Sequence, residues 1–310
     1  MDRSPHVLTV TLNLAQDLTY DLPALTPGTV HTVEHVAQRA GGKGVNVARV
    51  LVALGTRVTT TGLVGGQVGA EVQASLEAAS LPHRLVTVTG ATRRTVAIVD
   101  GAGVTLLNEP GPVILPAEWD EFVALFTSLL DTVDVVALSG SLPRGLGEDA
   151  YATLTRAARA AGRFTAVDAT GPALSRVLAT GPELVRVNLD EARTVTSRTA
   201  TPAQAARELL SHGAQTAVVS LGADGMIAAN PDGMWHAEAP RVHGGNPTGA
   251  GDTSMACLLL EQYRGVPLPE SLARACALAA TTVSAAVAGD ADPQRARELL
   301  PQVTVRETTA

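Results

Sequence analysis

"RAGGKGVNVARVLVALG" occupies residues 39–55, and the strand-like "VTTTGLVG" (58–65) follows it. Two adjacent glycines turn the chain, a segment of 3.6-residue periodicity (45–54) runs back, and a β-branched run begins again. Outward from this unit the alternation recurs. Strand candidates are "VLTVTLN" (7–13), "VVALSG" (135–140), "FTAVDA" (164–169), "LVRVN" (184–188) and "TAVVSLG" (216–222). Helical periodicity lies at 69–80, 116–130, 148–161 and 202–212. Strand, helix, strand in repetition means parallel strands joined by crossovers, hence an α/β fold with a doubly wound sheet covered on both faces. Ligands then sit beyond the C-terminal strand ends, where "LNLAQD", "LSGSLP", "VNLDE" and "SLGADG" leave their strands.

Two regions break the pattern. Residues 17–38 and 85–107 are strand-like with turns and no crossover helix, which predicts a small β-sheet standing off the main body as a lid would. The expected organisation is a single domain over 1–310 with the lid inserted from about 17–38 and 85–113. The tail after about 302 is expected to fray.

With 30 acids against 23 bases and a net charge of −7, the chain has no general attraction to nucleic acid or to an anionic membrane. An anionic substrate would have to be held by a few placed cations. The stretch nearest to a membrane span, 273–288, is an Ala-rich helix carrying Arg, Thr and Ser. The N-terminal "MDRSPHVLTVTLNL" lacks a signal-peptide pattern, so a cytoplasmic protein is expected. Cys257 and Cys276 fall in apolar helical stretches and read as buried free thiols, which suits a reducing compartment.

Two glycine loops carry the chemistry. In 39–55 a helix N-terminus favours an anion, with Lys43 in the turn and Asn46 in the first helical turn. The Walker A spacing is absent, and a tight turn with a solvated lysine fits as well. In "GGNPTGAGDTSMACLLLEQY" (244–263) the amides of Gly249, Ala250 and Gly251 open a helix and form a hole for negative charge. Asp252 stands where a capping acid would, a role worth about 1 kcal/mol. But an acid beside an anion hole repels the anion unless it accepts a proton, and phosphoryl transfer needs that pairing.

"GGKGVNVARVLVALG" and "NPTGAGDTSMACLLL" resemble the two signature regions of the ribokinase-like (PfkB) family of carbohydrate kinases. "TLNLAQD", "TRRTVAI", "LSGSLPRG", "LVRVNLDEA" and "VVSLGADG" fit around and between them, so the resemblance spans nearly the whole chain. The branch it is most similar to is the one-phosphofructokinase and tagatose-6-phosphate kinase group.

The resemblance implies a three-layer α/β/α kinase with a mostly parallel sheet, using ATP and Mg²⁺, and a homodimer through the lids. It implies that Asp252 is the general base and that Gly249, Ala250 and Gly251 form the anion hole. Asp17 would grip sugar hydroxyls at the end of the first strand, and Gly41, Gly42 and Asn46 would line the same sugar. Lys43 and Arg93 would bind a substrate phosphate, with Arg144 as a further contact and Gly140 and Ser141 bordering the pocket. Asn188 and Glu191 would organise Mg²⁺ through water, although their i, i+3 spacing fits a helix capping box equally well. Arg186 would serve the nucleotide, as would Ser220, Gly222 and Gly225, whose alternative is a strand-ending turn.

The chain departs from the family pattern in four places. Leu14 follows Asn13 where proline is frequent. Arg186 stands where lysine is common, which keeps the charge but changes its geometry. Pro247-Thr248 replaces Thr-Val before the glycines and should stiffen the approach to the anion hole. Ala97 stands where close relatives often carry lysine, which leaves the choice among fructose 1-phosphate, tagatose 6-phosphate and fructose 6-phosphate open. Lys43 and Arg93 argue against a neutral sugar or nucleoside, and Asp252 argues against a non-catalytic sugar-phosphate sensor. A Rossmann oxidoreductase on "GLVGGQVG" fails on glycine spacing.

Overall fold

The first strand is buried residue by residue, with an apolar and threonine run where a half-exposed strand would alternate. The computed structural model describes residues 4–242, 248–284 and 290–308. In chain order the strands begin with β1 (His6–Thr11), β2 (Ala15–Asp21), β3 (His35–Gly41), β4 (Arg57–Val64), β5 (His83–Thr87), β6 (Arg93–Asp100) and β7 (Gly103–Asn108). They continue with β8 (Val135–Ser139), β9 (Phe164–Asp168), β10 (Leu184–Asn188), β11 (Thr216–Ser220), β12 (Met226–Asn230), β13 (Gly233–Glu238) and β14 (Thr304–Glu307). The first five helices are α1 (Lys43–Ala53), α2 (Gly66–Ala78), α3 (Pro116–Leu129), α4 (Ala150–Ala160) and α5 (Gly171–Leu178). The others are α6 (Leu189–Arg193), α7 (Pro202–Ser211), α8 (Ala250–Tyr263), α9 (Leu268–Val283) and α10 (Pro293–Leu299).

The large sheet has the order β14-β13-β12-β11-β10-β9-β8-β1-β4-β5. Neighbours from β5 to β11 are parallel, and β12, β13 and β14 extend the sheet antiparallel. The core lies in two layers. Phe122, Phe126, Tyr151, Leu154, Leu174 and Leu209 from α3, α4, α5 and α7 fill one. Val45, Leu51, Val72, Leu258 and Leu272 from α1, α2, α8 and α9 fill the other. The expected doubly wound sheet with helices on both faces is the observed one. Helix α8 is buried on every side from Asp252 to Glu261, because it lies between α1 and α9 as well as on the sheet.

The small sheet has the order β3-β2-β6-β7. Its membership corrects the sequence reading in two respects. Residues 83–87 pair in parallel with β4 as the edge of the large sheet, so the second contribution is β6 and β7 alone. Asp17 is not at the end of the first strand: the chain leaves β1 at Thr11 and Asp17 lies within β2 of the small sheet. The physical reason is a change of sheet at Leu12–Leu14, where both leucines stay buried although the ladder ends.

The far edge also differs from expectation. In the tail expected to fray, Thr304–Glu307 form β14, which pairs with β13 and aligns Val305 with Ala237. The β12–β13 hairpin turns at "NPDG" (230–233). There Asn230 Oδ1 accepts from the Asp232 and Gly233 amides at 2.9 and 3.2 Å. Both cysteines are buried and free, as expected. Among the described residues no helix is long and apolar enough to cross a membrane. Pro247, expected to stiffen the anion loop, lies outside the described residues.

Helix α1 approaches β1 so closely that a β-carbon at Gly44 would overlap Thr11 Oγ1 and lie 2.9 Å from the Val10 carbonyl oxygen. Helix propensity alone makes Gly→Ala favourable by about 1 kcal/mol. Overpacking against a backbone costs about 1–3 kcal/mol. Gly44→Ala should therefore lower the urea unfolding midpoint, and a raised midpoint would refute this account of the α1–β1 contact.

Candidate active site

The site grows from two glycine turns. Gly42 has φ +103° and converts the end of β3 into the start of α1, which puts Lys43 and Asn46 in the first turn. Gly249 has φ +86° and caps α8, so that Asp252 is the third helical residue. The amides of such a first turn have no intrahelical acceptor and present partial positive charge. Because α1 packs on α8, Asn46 Nδ2 reaches Asp252 Oδ2 and donates at 2.8 Å.

Asp252 is only 6 % exposed. Burial, and next the negative Asp168, push its pKa up from 3.8 to about 7, against the lowering pull of Lys43, the Asn46 hydrogen bond and Arg186. This carboxyl is thus half-protonated near neutrality, and Asn46 fixes which oxygen is engaged.

Asp168, at the C-terminal end of β9, is fully buried and meets two cations. Lys43 Nζ donates to its Oδ1 at 2.6 Å, and Arg186 Nη1 lies 3.5 Å from its Oδ2. Lys43 also reaches Glu191 Oε1 at 3.3 Å. Burial by itself lowers the Lys43 pKa, but Asp168, Glu191 and Asp252 outweigh it, so the net shift is upward and the ammonium stays charged. Arg186 Nη2 donates to Ser220 Oγ at 2.8 Å. A β-carbon at Gly251 would stand 2.6 Å from Arg186 Nη1, so the guanidinium lies directly against the first turn of α8.

Lys43, Arg186, Glu191 and Asp252 open into a cavity of about 510 Å³ roofed by the small sheet. Asp17 and Arg93 face it from β2 and β6, along with Thr95, Ala97 and Asn108. Thr95 donates a short hydrogen bond to Asp17, whose carboxyl packs where a side chain at Gly41 would stand. Burial raises the Asp17 pKa, opposed by the Thr95 hydrogen bond and by Arg39, Arg49 and Arg93. Arg93 is aimed by two carbonyls, donating through Nε to Asn13 and through Nη1 to Glu109 at 3.2 Å each. An adjoining cavity of about 260 Å³ is bordered by Gly140 and Ser141 and shares Lys43, Arg93 and Glu191 with the first.

Residues 10–295 match the family described as pfkB family carbohydrate kinase. The chain belongs to that family. A solved structure named "Possible 1-phosphofructokinase" from Thermotoga maritima is 26% identical and superposes with a TM-score of 0.89, covering 98% of this chain and 100% of that one. Phosphofructokinase-2 from Escherichia coli, solved with fructose-6-phosphate, shares the fold with a TM-score of 0.85 at 24% identity, covering 96% of this chain and 98% of that one. The ribokinase of Arabidopsis thaliana, complexed with ribose and ATP, shares it with a TM-score of 0.73 at 19% identity, covering 96% and 98%. The chain is therefore a sugar kinase, a phosphotransferase acting on an alcohol group.

Of the residues singled out in the kinase's sequence, Asp17, Gly42, Lys43, Asn46, Arg93, Arg186, Asn188, Glu191, Gly249, Gly251 and Asp252 line the larger cavity. Gly41 and Ala250 stand next to lining residues. Asn188 and Glu191 form a reciprocal capping box, Glu191 N donating to Asn188 Oδ1 at 2.8 Å and Asn188 N to Glu191 Oε2 at 2.9 Å. The cap and the cleft position coexist.

Apart from Gly41 and Ala250, four residues are not among those lining either cavity: Arg144, Gly222, Gly225 and Ser220, the last of which accepts from Arg186. Arg144 donates to the Gly111 carbonyl at 2.9 Å. Gly222 and Gly225 shape the turn after β11, and Gly225, with φ +91°, abuts the Ala237 carbonyl. The sequence reading missed Asp168, Thr95 and Arg39. For Asp168 the signal was present, an acid closing the apolar strand "FTAVDA".

The raised Asp252 pKa has a consequence for stability. The unfolded chain ionises this carboxyl near 3.8 and the folded chain near 7, so its contribution is fully present below pH 4 and is lost as pH rises towards 7. Asp252→Asn removes that loss. The variant's unfolding free energy should gain on wild type between pH 4 and 7, by an amount on the order of a few kcal/mol. Parallel pH–stability curves for the two proteins would contradict the shift.

Proposed function

We propose that this kinase transfers the γ-phosphoryl group of ATP to a hexose phosphate, converting fructose 1-phosphate to fructose 1,6-bisphosphate. The observation that carries the reading is the buried Asp252, tuned near neutrality at the N-terminus of α8 and facing the cavity that also holds Asp17 and Arg93. Asp252 takes the proton from the sugar O6 as the oxygen's lone pair forms a bond to the γ-phosphorus. The bond to the bridging oxygen breaks, and the leaving charge passes to ADP. The amides of Gly249, Ala250 and Gly251, with Arg186 against them, receive the negative charge of the transferring group.

Asp17, Gly41, Gly42 and Asn46 hold the sugar hydroxyls, with Gly140 and Ser141 at the border. Arg93, aimed by carbonyls and unpaired with any carboxylate among the described residues, is the first ligand of the substrate phosphate. Lys43 stands between that phosphate and the acids Asp168 and Glu191. Arg144 acts at one remove, by ordering the loop at Gly111. Asn188, Glu191, Ser220, Gly222 and Gly225 serve the nucleotide side. The small sheet is the lid that keeps water from the γ-phosphate.

Among the described residues no three His, Cys, Asp or Glu side chains converge as a metal cage. Mg²⁺ rarely needs one: it keeps waters and takes one or two carboxylates plus substrate phosphates. Glu191, which lines the cavity, fits as such a carboxylate, with Asn188 beside it acting through water. Bound there, the ion would neutralise phosphate charge.

Fructose 6-phosphate is the competing substrate, because Ala97 lines the cavity where a second cation would distinguish the two. The test is ADP release with Mg-ATP over fructose 1-phosphate, tagatose 6-phosphate, fructose 6-phosphate, fructose and ribose. Fructose 1-phosphate should give the highest kcat/KM, and Asp252→Asn should lose about 10²–10⁴ in rate. Because the base must be ionised, kcat/KM should fall tenfold per pH unit below about 7. Preference for a neutral sugar would sink the assignment of Arg93.

The homodimer is proposed to form through the lids, where Val36, Leu106 and Leu107 are about half exposed on the small sheet. Light scattering should show a dimer, and Val36→Asp with Leu107→Asp should shift it to monomer. An unchanged dimer would place the interface elsewhere.

A further inference from the structure

The end of the large sheet opposite the cleft carries a second concentration of cations. Arg156 and Arg159 come from the C-terminal half of α4, and Arg163 precedes β9. With Phe164, Glu183 and Tyr263 they line a groove of about 510 Å³. It is built at the N-terminal ends of β9 and β10, where neither the proposed phosphoryl transfer nor the lid has any use for it.

The three arginines differ in their partners. Arg159 is structural: its Nε lies 3.2 Å from Glu183 Oε1, and its Nη1 donates to the carbonyls of Thr180 and Gly181. Glu183 is likewise committed, its Oε2 accepting from the Thr165 amide and hydroxyl at 2.9 and 2.5 Å. That leaves Arg156 and Arg163. Arg156 makes one long bond, 3.3 Å, to Thr153 Oγ1. Arg163 Nε is buried with no acceptor. Among the described residues no carboxylate pairs with either.

In a chain of net charge −7, two guanidinium groups at one groove without acids are a placed attraction for an anion. A guanidinium fork matches phosphate oxygens two at a time. The opposite wall is aromatic: Phe164 and Tyr263 meet edge to face, ring centroids 6.0 Å apart, with Tyr263 39 % exposed. A planar ring can lie on such a wall.

We propose that this groove is a second ligand site, binding a phosphate-bearing small molecule with a planar ring, of the nucleoside monophosphate class. Arg156 and Arg163 take the phosphate, and the Phe164–Tyr263 pair takes the ring.

Tyr263→Trp places a fluorophore in the groove, and AMP is the probe, with inorganic phosphate as the ringless comparator. AMP should give a saturable fluorescence change that the native protein lacks. It should persist in an Arg93→Ala background and weaken at least about tenfold in Arg156→Ala/Arg163→Ala, as loss of charge-assisted hydrogen bonds requires. Inorganic phosphate should bind more weakly than AMP. Should the double variant fail to fold, Arg156→Glu at the exposed position must weaken binding on its own. No saturable change at millimolar AMP, or one indifferent to both arginine variants, overturns the site; phosphate binding as tightly as AMP overturns the ring contact.

Discussion

The ion pairs of Asp168 with Lys43 and Arg186 hold three separate elements together at one point. Asp168 closes β9, Lys43 opens α1, and Arg186 lies on β10 with its guanidinium under Gly251 of α8. A carboxylate buried this deeply is tolerated only with cations on it, because the loss of hydration costs several kcal/mol per ion. Once the cations are there they also decide the state of Asp252. They oppose the effects of burial and of Asp168 itself, and the balance lies near neutrality. A base that was fully solvated would be too weak to take a hydroxyl proton, and one buried without these cations would hold its own proton at neutral pH.

The small sheet is tied to this centre by backbone. β1 feeds β2 through Asn13 and Leu14, and β3 runs into α1 through Gly41 and Gly42. Asp17 packs on Gly41, and Arg93 is held by the Asn13 carbonyl, so the roof and floor of the cavity share the same short segments. A displacement of β2 or β3 therefore cannot leave the first turn of α1 unaffected, and that turn carries Lys43 and Asn46. Asp17 and Arg93 on the roof and Asp252 on the floor are joined without an intervening flexible linker.

Much of the site was legible because its parts lie in short sequence units. The turn into α1 and the turn into α8 each need glycine at positive φ, and each is followed at once by the polar residue it presents. Asp168 and Thr95 were not legible in this way. An acid at a strand end and a threonine in an exposed-looking strand become site residues only when β9 comes to lie against α1 and β10, and β6 against β2. Arg144 shows what the motif alone leaves out: its Nη2 donates to the Gly111 carbonyl, a partner distant in the chain.

The strand–helix alternation determined by itself that the sheet would be parallel and covered on both faces, because fully buried strands and crossover helices leave local periodicities that need no partner to be read. Pairing was another matter. Residues 83–87 look the same whether they join β4 or the small sheet, and the tail at 304–307 looks too short to be ordered until β13 offers it an open edge. Strand neighbours, ion-pair partners and the pKa of a buried acid depend on groups far apart in the chain, and only tertiary structure brings those groups within the few ångströms over which hydrogen bonds and desolvation act.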